Sequence, residues 1–334
     1  MKHILIFILC IFLLNSCNSS HLEDAIGLAQ GIPRKTIDTN LMGVNAFMND
    51  SRFSSPRAQF QELRDILRLK YVRMLVNWND GVQASPEAQP DFSWSDSVIG
   101  DIPEGIDALI IINGLPSWMS DSSYWINGNP RKTFIERWFK PIVARYSNNP
   151  HIVGWQVWNE PNMQSNPENA LLGFNNPENY VEMLGLAYSV AKDLSPSKLV
   201  INAATTAINQ NFPETRDYNR AMRDAGADNF VDVWAIHYYG KQFENIVREG
   251  GVADFCNGLN KEIWITESGA MGVNEQLAYV EQAWPYLSEK IDRLGRIYYY
   301  QFTEASSPES TYGLRNLSST ASLSDLYIWL RDRG

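Results

Sequence analysis

The sequence predicts an α/β protein folded as a single (β/α)8 barrel. The first observation behind this is a set of eight short apolar runs, at 41–45, 72–78, 108–113, 153–158, 199–203, 231–237, 262–266 and 296–302. The second is that these runs are continuously apolar rather than alternating, as parallel strands covered on both faces must be. The third is that helical patterns fill the intervals, and no repeat or compositional shift divides the chain after residue 40. A doubly wound sheet is the alternative, but the Gly-rich nucleotide turn that usually follows its first strand is absent.

The helices carry legible start signals. Ser55-Pro56 opens an amphipathic stretch reaching Leu69, with proline at the first helical position, where its missing N–H costs nothing. Asn176-Pro177-Glu178 repeats the device for a helix ending near Leu194. Residues 274–293 read as a further helix, kinked at Pro285, and the last helix covers about 322–331. The longest connections, 117–131 and 162–176, follow the third and fourth strands and are expected to shape any cleft there.

The N-terminus bears on compartment. Lys2 and His3 precede an apolar run at 4–14 that is short for a membrane span, and Leu14-Asn15-Ser16-Cys17 follows. This resembles a bacterial lipobox, in which Cys17 is lipid-modified and becomes the first residue. An ordinary signal peptide or an uncleaved N-terminal anchor is the alternative. The expected organisation is a lipoprotein signal peptide at 1–16, a tether at 17–36 and a catalytic barrel at 37–334. Asn18, being no aspartate, implies an exported lipoprotein on the periplasmic or cell-surface face of the outer membrane.

Removing residues 1–16 takes one of the 28 Lys+Arg, leaving 27 against 38 acids, a net charge of −11. That balance argues against nucleic acid or an anionic membrane surface as partner, so membrane association is expected through the lipid alone. Of three cysteines only Cys256 remains free, which leaves no disulfide framework and no cysteine metal site.

In a barrel, chemistry sits where strands end at their C-termini. The fourth run ends in Trp158-Asn159-Glu160-Pro161-Asn162 and the seventh in Ile265-Thr266-Glu267-Ser268. A glutamate at the buried end of a strand is costly unless paired or hydrogen-bonded, and Pro161 should bias Glu160 towards an extended conformation. Two carboxyl groups facing across a barrel mouth are the working parts of glycoside hydrolysis.

"WNEPN" after the fourth strand, "HYY" after the sixth and "WITESG" after the seventh resemble the clan GH-A retaining glycosidases, and most of all bacterial members related to families 39 and 5. The resemblance covers about residues 37–333. It implies Glu160 as general acid/base and Glu267 as nucleophile. It further implies that Asn159 hydrogen-bonds the sugar 2-hydroxyl, that His237 and Tyr239 line the site with Tyr239 holding the nucleophile, and that Arg73 keeps Glu267 ionised. Where family 5 members often carry a histidine after strand three and a tryptophan after strand eight, this chain has Asn113 and Tyr300 or Gln301. "YYYQFTEA" with "TYGL" is closer to the family 39 ending, in which a tyrosine replaces the tryptophan.

Trp78, Trp118 and Trp125 follow strands two and three, where aromatic rings fill core or stack on sugars; Trp118 and Tyr300 are taken as substrate contacts. Glu304 reads as loop structure, with substrate contact as the alternative. No His or Cys cluster has metal-ligand spacing, and no cofactor is expected. The expected protein is a monomeric retaining glycosidase acting on a glycan, with a catalytically silent glycan-binding barrel and a transglycosidase as the rival readings. For the anchor, Cys17→Ser should move the protein from the membrane fraction to the soluble one; unchanged fractionation would dismiss the lipobox.

Overall fold

A computed structural model describes residues 37–318 and 322–334. The expected signal peptide, Cys17 and the expected tether lie outside the described residues. Eight parallel strands close into a barrel in sequence order: β1 Met42–Asn45, β2 Tyr71–Asn77, β3 Asp107–Asn113, β4 Ile152–Val157, β5 Leu199–Asn202, β6 Val233–His237, β7 Glu262–Ser268 and β8 Leu294–Tyr299. β8 pairs back on β1, so no edge is left open. Each apolar run of the sequence becomes one strand, with small shifts at the ends.

Register aligns the C-terminal rim of the barrel. β2 and β3 pair from Tyr71↔Asp107 to Asn77↔Asn113, which levels their C-terminal ends. β4 pairs with β5 from Gly154↔Leu199 to Val157↔Asn202. Glycine is required at 154: a Cβ there would stand 2.7 Å from the Leu199 carbonyl oxygen and 2.8 Å from Ile201 Cδ1. The inside of the barrel is filled by Leu109, Ile201, Val233, Ala235, Trp264 and Tyr298, all buried.

The helix opened by Pro56 runs as α-helix over Pro56–Gln61 and continues as a π-helical turn over Glu62–Ile66, with Ser55 Oγ accepting from Ala58 N–H. Pro177–Leu194 forms with Asn176 as its cap. Gln276–Lys290 is one helix with Pro285 inside it. The final helix begins later than expected, at Asp325, because Ser322–Leu323 pairs as a strand. It joins β9 Thr303–Glu304 and β10 Arg315–Asn316 as β11 in a three-stranded sheet, and Ser324 then caps the helix. The connections at 117–131 and 162–176 are not open loops. The first holds 3-10 turns at Ser117–Ser120, Ser122–Tyr124 and Ile126–Gly128, and the second a helix at Pro167–Leu172.

An aromatic stack ties the third-strand connection to the core. Phe92 lies parallel to Trp138 at 5.8 Å, Trp138 parallel to Trp78 at 6.1 Å, and Trp118 meets Trp78 edge-on at 5.2 Å. Gln83 serves both indoles, its Oε1 accepting from Trp78 and its carbonyl from Trp118. Trp78→Ala should therefore cost about 3–5 kcal/mol. Denaturant titration checks this as a lowered midpoint at unchanged slope.

Candidate active site

The site is assembled around Arg73, which points from β2 into the barrel and is nearly fully buried. Its Nε donates to Gln156 Oε1 at 2.7 Å, and Nη2 donates to Asn159 Oδ1 at 2.9 Å. Nη1 donates to both Asn45 Oδ1 and Glu267 Oε1, each at 2.7 Å. These acceptors are themselves held. Asn45 Nδ2 donates to the Thr266 carbonyl at 3.0 Å and Gln156 Nε2 to the Asn202 carbonyl at 3.0 Å. A buried ion pair persists only when its remaining polar atoms are satisfied this way.

Glu267 leaves β7 where that strand's pairing with β6 and β8 shifts register, and its other oxygen accepts from Tyr239 Oη at 3.0 Å. Burial alone would raise its pKa. The electrostatic effect of the neighbouring His237, the Arg73 guanidinium and the hydrogen bonds from Arg73 and Tyr239 outweigh burial and hold it below the usual 4.5. Tyr239 in turn is pushed well above 10, first by burial and then by the neighbouring Glu267 charge, so it remains a donor at neutral pH.

Glu160 stands just past β4, its N–H donating to the Ala204 carbonyl at 2.9 Å. Pro161 does not hold it extended: Glu160 has φ +43°, and Trp158 has φ +76°. Such backbone costs roughly 1–3 kcal/mol per residue and persists only where the surroundings over-determine it. Here Asn169 does so, accepting from Trp158 Nε1 and donating to the carbonyls of Glu160 and Met163. Asn162 adds two hydrogen bonds to Thr206. The strained turn points Glu160 at His237, whose Nδ1 lies 3.0 Å from Glu160 Oε1 and whose Nε2 lies 3.5 Å from Glu267 Oε1.

A cavity of about 240 Å³ opens over these groups, lined by Arg73, Asn113, Asn159, Glu160, Glu267 and Tyr300 and by the apolar Phe47, Leu75 and Ile111. A larger hollow of about 520 Å³ lies elsewhere, lined by Glu178, Val181, Glu182, Leu186 and Phe230. One oxygen or nitrogen each from Glu160, His237 and Glu267 fall within 4.8 Å of one another, the one group of metal-ligating type found among the described residues. Arg73 already occupies Glu267 Oε1 and places a cation there, which disfavours a second one.

The structure therefore brings together Arg73, Asn159, Glu160, His237, Tyr239, Glu267 and Tyr300, and leaves Trp118 outside. Trp118 is buried in the stack with Trp78 and does not line the cavity, and Trp125 donates to the Met119 carbonyl. Of Tyr300 and Gln301, it is Tyr300 that faces the cavity. Glu304 accepts from Thr311 Oγ1 and Tyr312 N–H. Gln156 was legible as the one polar residue of an apolar strand, whereas nothing local marked Phe47, Leu75 or Ile111.

The family model for cellulases of glycosyl hydrolase family 5 matches residues 32–299. The chain belongs to glycosyl hydrolase family 5. That family is one of the glycoside hydrolase families of the GH-A clan. Solved structures of similar fold include a family 39 glycoside hydrolase from the gut symbiont Bacteroides cellulosilyticus WH2, at 17% identity and TM-score 0.61, covering 89% of this chain and 64% of that one. A monomeric β-xylosidase from Caulobacter crescentus CB15 matches at 15% identity and TM-score 0.62, over 90% and 69%. Family 30 xylanase C from Talaromyces cellulolyticus matches at 14% and 0.58, over 89% and 75%. At these identities the likeness is one of fold, and the family 5 chain spans under two thirds of the first structure's length. No curated protein sequence matches it.

The Tyr239 hydrogen bond to Glu267 is testable without turnover. Tyr239→Phe should raise the Glu267 pKa by about one unit, since a hydrogen bond to a charged group contributes about 1.5–3 kcal/mol. Because the folded pKa is depressed, the Glu267 charge stabilises the fold above the ordinary glutamate range and loses that effect as pH falls through the folded value. Carbon NMR of carboxyl-labelled protein measures the shift, and an unmoved titration would show that the bond does not bear on the charge.

Proposed function

We propose that this chain is a retaining glycosidase that cleaves β-linked glycans through a covalent glycosyl-enzyme, with Glu267 as nucleophile and Glu160 as acid/base. The observation that carries this reading is the approach of a Glu160 oxygen to within 4.8 Å of a Glu267 oxygen. Retention uses carboxyl groups about 5–5.5 Å apart, whereas inversion needs about 6.5–9.5 Å to admit a water between them. Their unequal surroundings support unequal roles. Glu267 is held ionised by Arg73 and Tyr239, while Glu160 lies against the His237 imidazole.

In the first step Glu267 attacks the anomeric carbon as its bond to the leaving oxygen breaks, and that oxygen takes the proton of Glu160. In the second, Glu160 removes a proton from water, which attacks the same carbon and releases Glu267. Asn159, its Oδ1 engaged by Arg73, has its Nδ2 left to donate to the sugar 2-hydroxyl. Tyr300 and Phe47 would wall the sugar on the β8–β1 side. The protein is further proposed to be exported and anchored to the outer membrane by lipid on Cys17.

The two glutamates should fail differently. Glu267→Ala should lose many orders of magnitude, with azide restoring some turnover and giving product of inverted anomer. Glu160→Ala should spare activated aryl leaving groups and slow poor ones, because only the latter need the proton. Its glycosyl-enzyme should accumulate. Rate constants on a good and a poor leaving group, with the anomer followed by NMR, test this. Equal slowing of both substrates by Glu160→Ala, or inverted product from the unmodified enzyme, would overturn the assignments.

A further inference from the structure

Three tyrosine rings from separate parts of the chain meet beside Glu267. Tyr239 and Tyr300 contact edge-on at 6.3 Å, Tyr239 and Tyr312 at 5.7 Å, and Tyr300 and Tyr312 at 5.9 Å, each near perpendicular. Tyr239 donates to Glu267 and Tyr300 lines the cavity. Tyr312 does neither, and its ring supports both of the others.

The segment that presents Tyr312 is tied from several sides. The Glu304 carboxylate accepts from Tyr312 N–H at 2.6 Å and from Thr311 Oγ1 at 2.9 Å. The buried Gln276 donates through Nε2 to the carbonyls of Thr311 and Gly313, at 3.3 and 3.2 Å. Gln301 N–H donates to the Tyr312 carbonyl at 3.2 Å, which joins this segment to the residue next to Tyr300. Glu304, an acid at the barrel mouth, thus spends its carboxylate on the placement of a ring.

We propose that Tyr312 is a positioning residue for Glu267: its ring fixes those of Tyr239 and Tyr300 and so holds the hydrogen bond from Tyr239 to the carboxylate, with Glu304 anchoring the segment. This rests on the reading of Glu267 as nucleophile. The reasoning is geometric. A tyrosine hydroxyl lies at the far end of two rotatable bonds, so a small change in either moves it out of reach of an oxygen 3.0 Å away. Edge-on contacts from two sides remove that freedom before substrate arrives. A ring that merely filled space would change stability when removed, but not the ionisation of Glu267.

The experiment measures the Glu267 pKa by carboxyl carbon NMR, alongside the acid limb of kcat/KM, in Tyr312→Ala, Tyr312→Phe and Glu304→Gln. Tyr312→Ala should raise both by about half a unit or more, approaching the effect of losing the Tyr239 hydroxyl. It should lower kcat about tenfold with KM within about twofold, since a misplaced nucleophile harms the transition state more than binding. Tyr312→Phe keeps the ring and should restore native values. In a Tyr239→Phe background, Tyr312→Ala should add no further shift, because the bond it protects is already gone. Should Tyr312→Ala not fold, Glu304→Gln carries the test, with a smaller upward shift expected. An unmoved Glu267 pKa in the folded variant, or equal shifts with and without the Tyr239 hydroxyl, would overturn the proposal. The NMR readout needs no turnover. A shifted pKa in a protein that cleaves no glycoside would therefore overturn the nucleophile assignment and leave the positioning contact standing.

Discussion

The buried guanidinium of Arg73 is the group on which the rest of the site depends. Its planar group carries five N–H donors and no acceptor, so the barrel must supply acceptors in a fixed fork geometry. Those acceptors come from β1, β4 and β7 and from the turn after β4: Asn45, Gln156, Glu267 and Asn159. Strands of a (β/α)8 barrel are ordinarily filled with branched apolar side chains. Here the apolar interior around Leu109, Ile201 and Trp264 is closed on the catalytic side by this polar set. A single cation thereby ties four residues from three distant parts of the sequence, and leaving it without partners would be more costly than any of the individual hydrogen bonds.

From that arrangement follows the difference between two chemically identical side chains. Glu267 receives Arg73 on one oxygen and Tyr239 on the other, and is kept charged although burial opposes it. Glu160 sits on a strained turn at φ +43° with His237 against its Oε1. The strain is offset by Asn169 of the helix Pro167–Leu172, which bonds the turn, and by Asn162 of the turn itself, which bonds Thr206 after β5. Fixed position and unequal environment are what the proposed division into nucleophile and acid/base requires of two identical carboxyls.

The chain after β8 completes the wall. β9 and β10 pair beside the barrel, Arg315 of β10 forms an ion pair with Glu62 through both carboxylate oxygens, and Tyr327 of the last helix donates to the same acid. This fastening anchors the polypeptide between Glu304 and Arg315 at both ends, and that stretch carries Tyr312 to the rings next to Glu267. Stiffness at the mouth of the barrel thus comes from contacts on its outside.

Strand positions, the order of elements and the two glutamates could all be read from the sequence, because they depend on short-range properties. A continuous apolar run is required of any doubly covered strand, and a carboxylate ending such a run stands out against it. Even Gln156 and Arg73 are visible as polar residues within apolar strands. The sequence could not show which way a side chain turns once the barrel has closed. Trp78 and Trp118 follow strands on the functional face, yet the stack with Trp138 draws them into the core, while Phe47, Leu75 and Ile111 face the cavity. Nor could it show that Glu160 would take a left-handed φ before a proline, since the local preference is overridden by a hydrogen bond from Asn169, nine residues on, and by one that Glu160 N–H donates to the Ala204 carbonyl. Local preference determined the strands and the residue types at their ends; closure of the barrel, which joins residues more than a hundred positions apart through one cation, decided which of them meet.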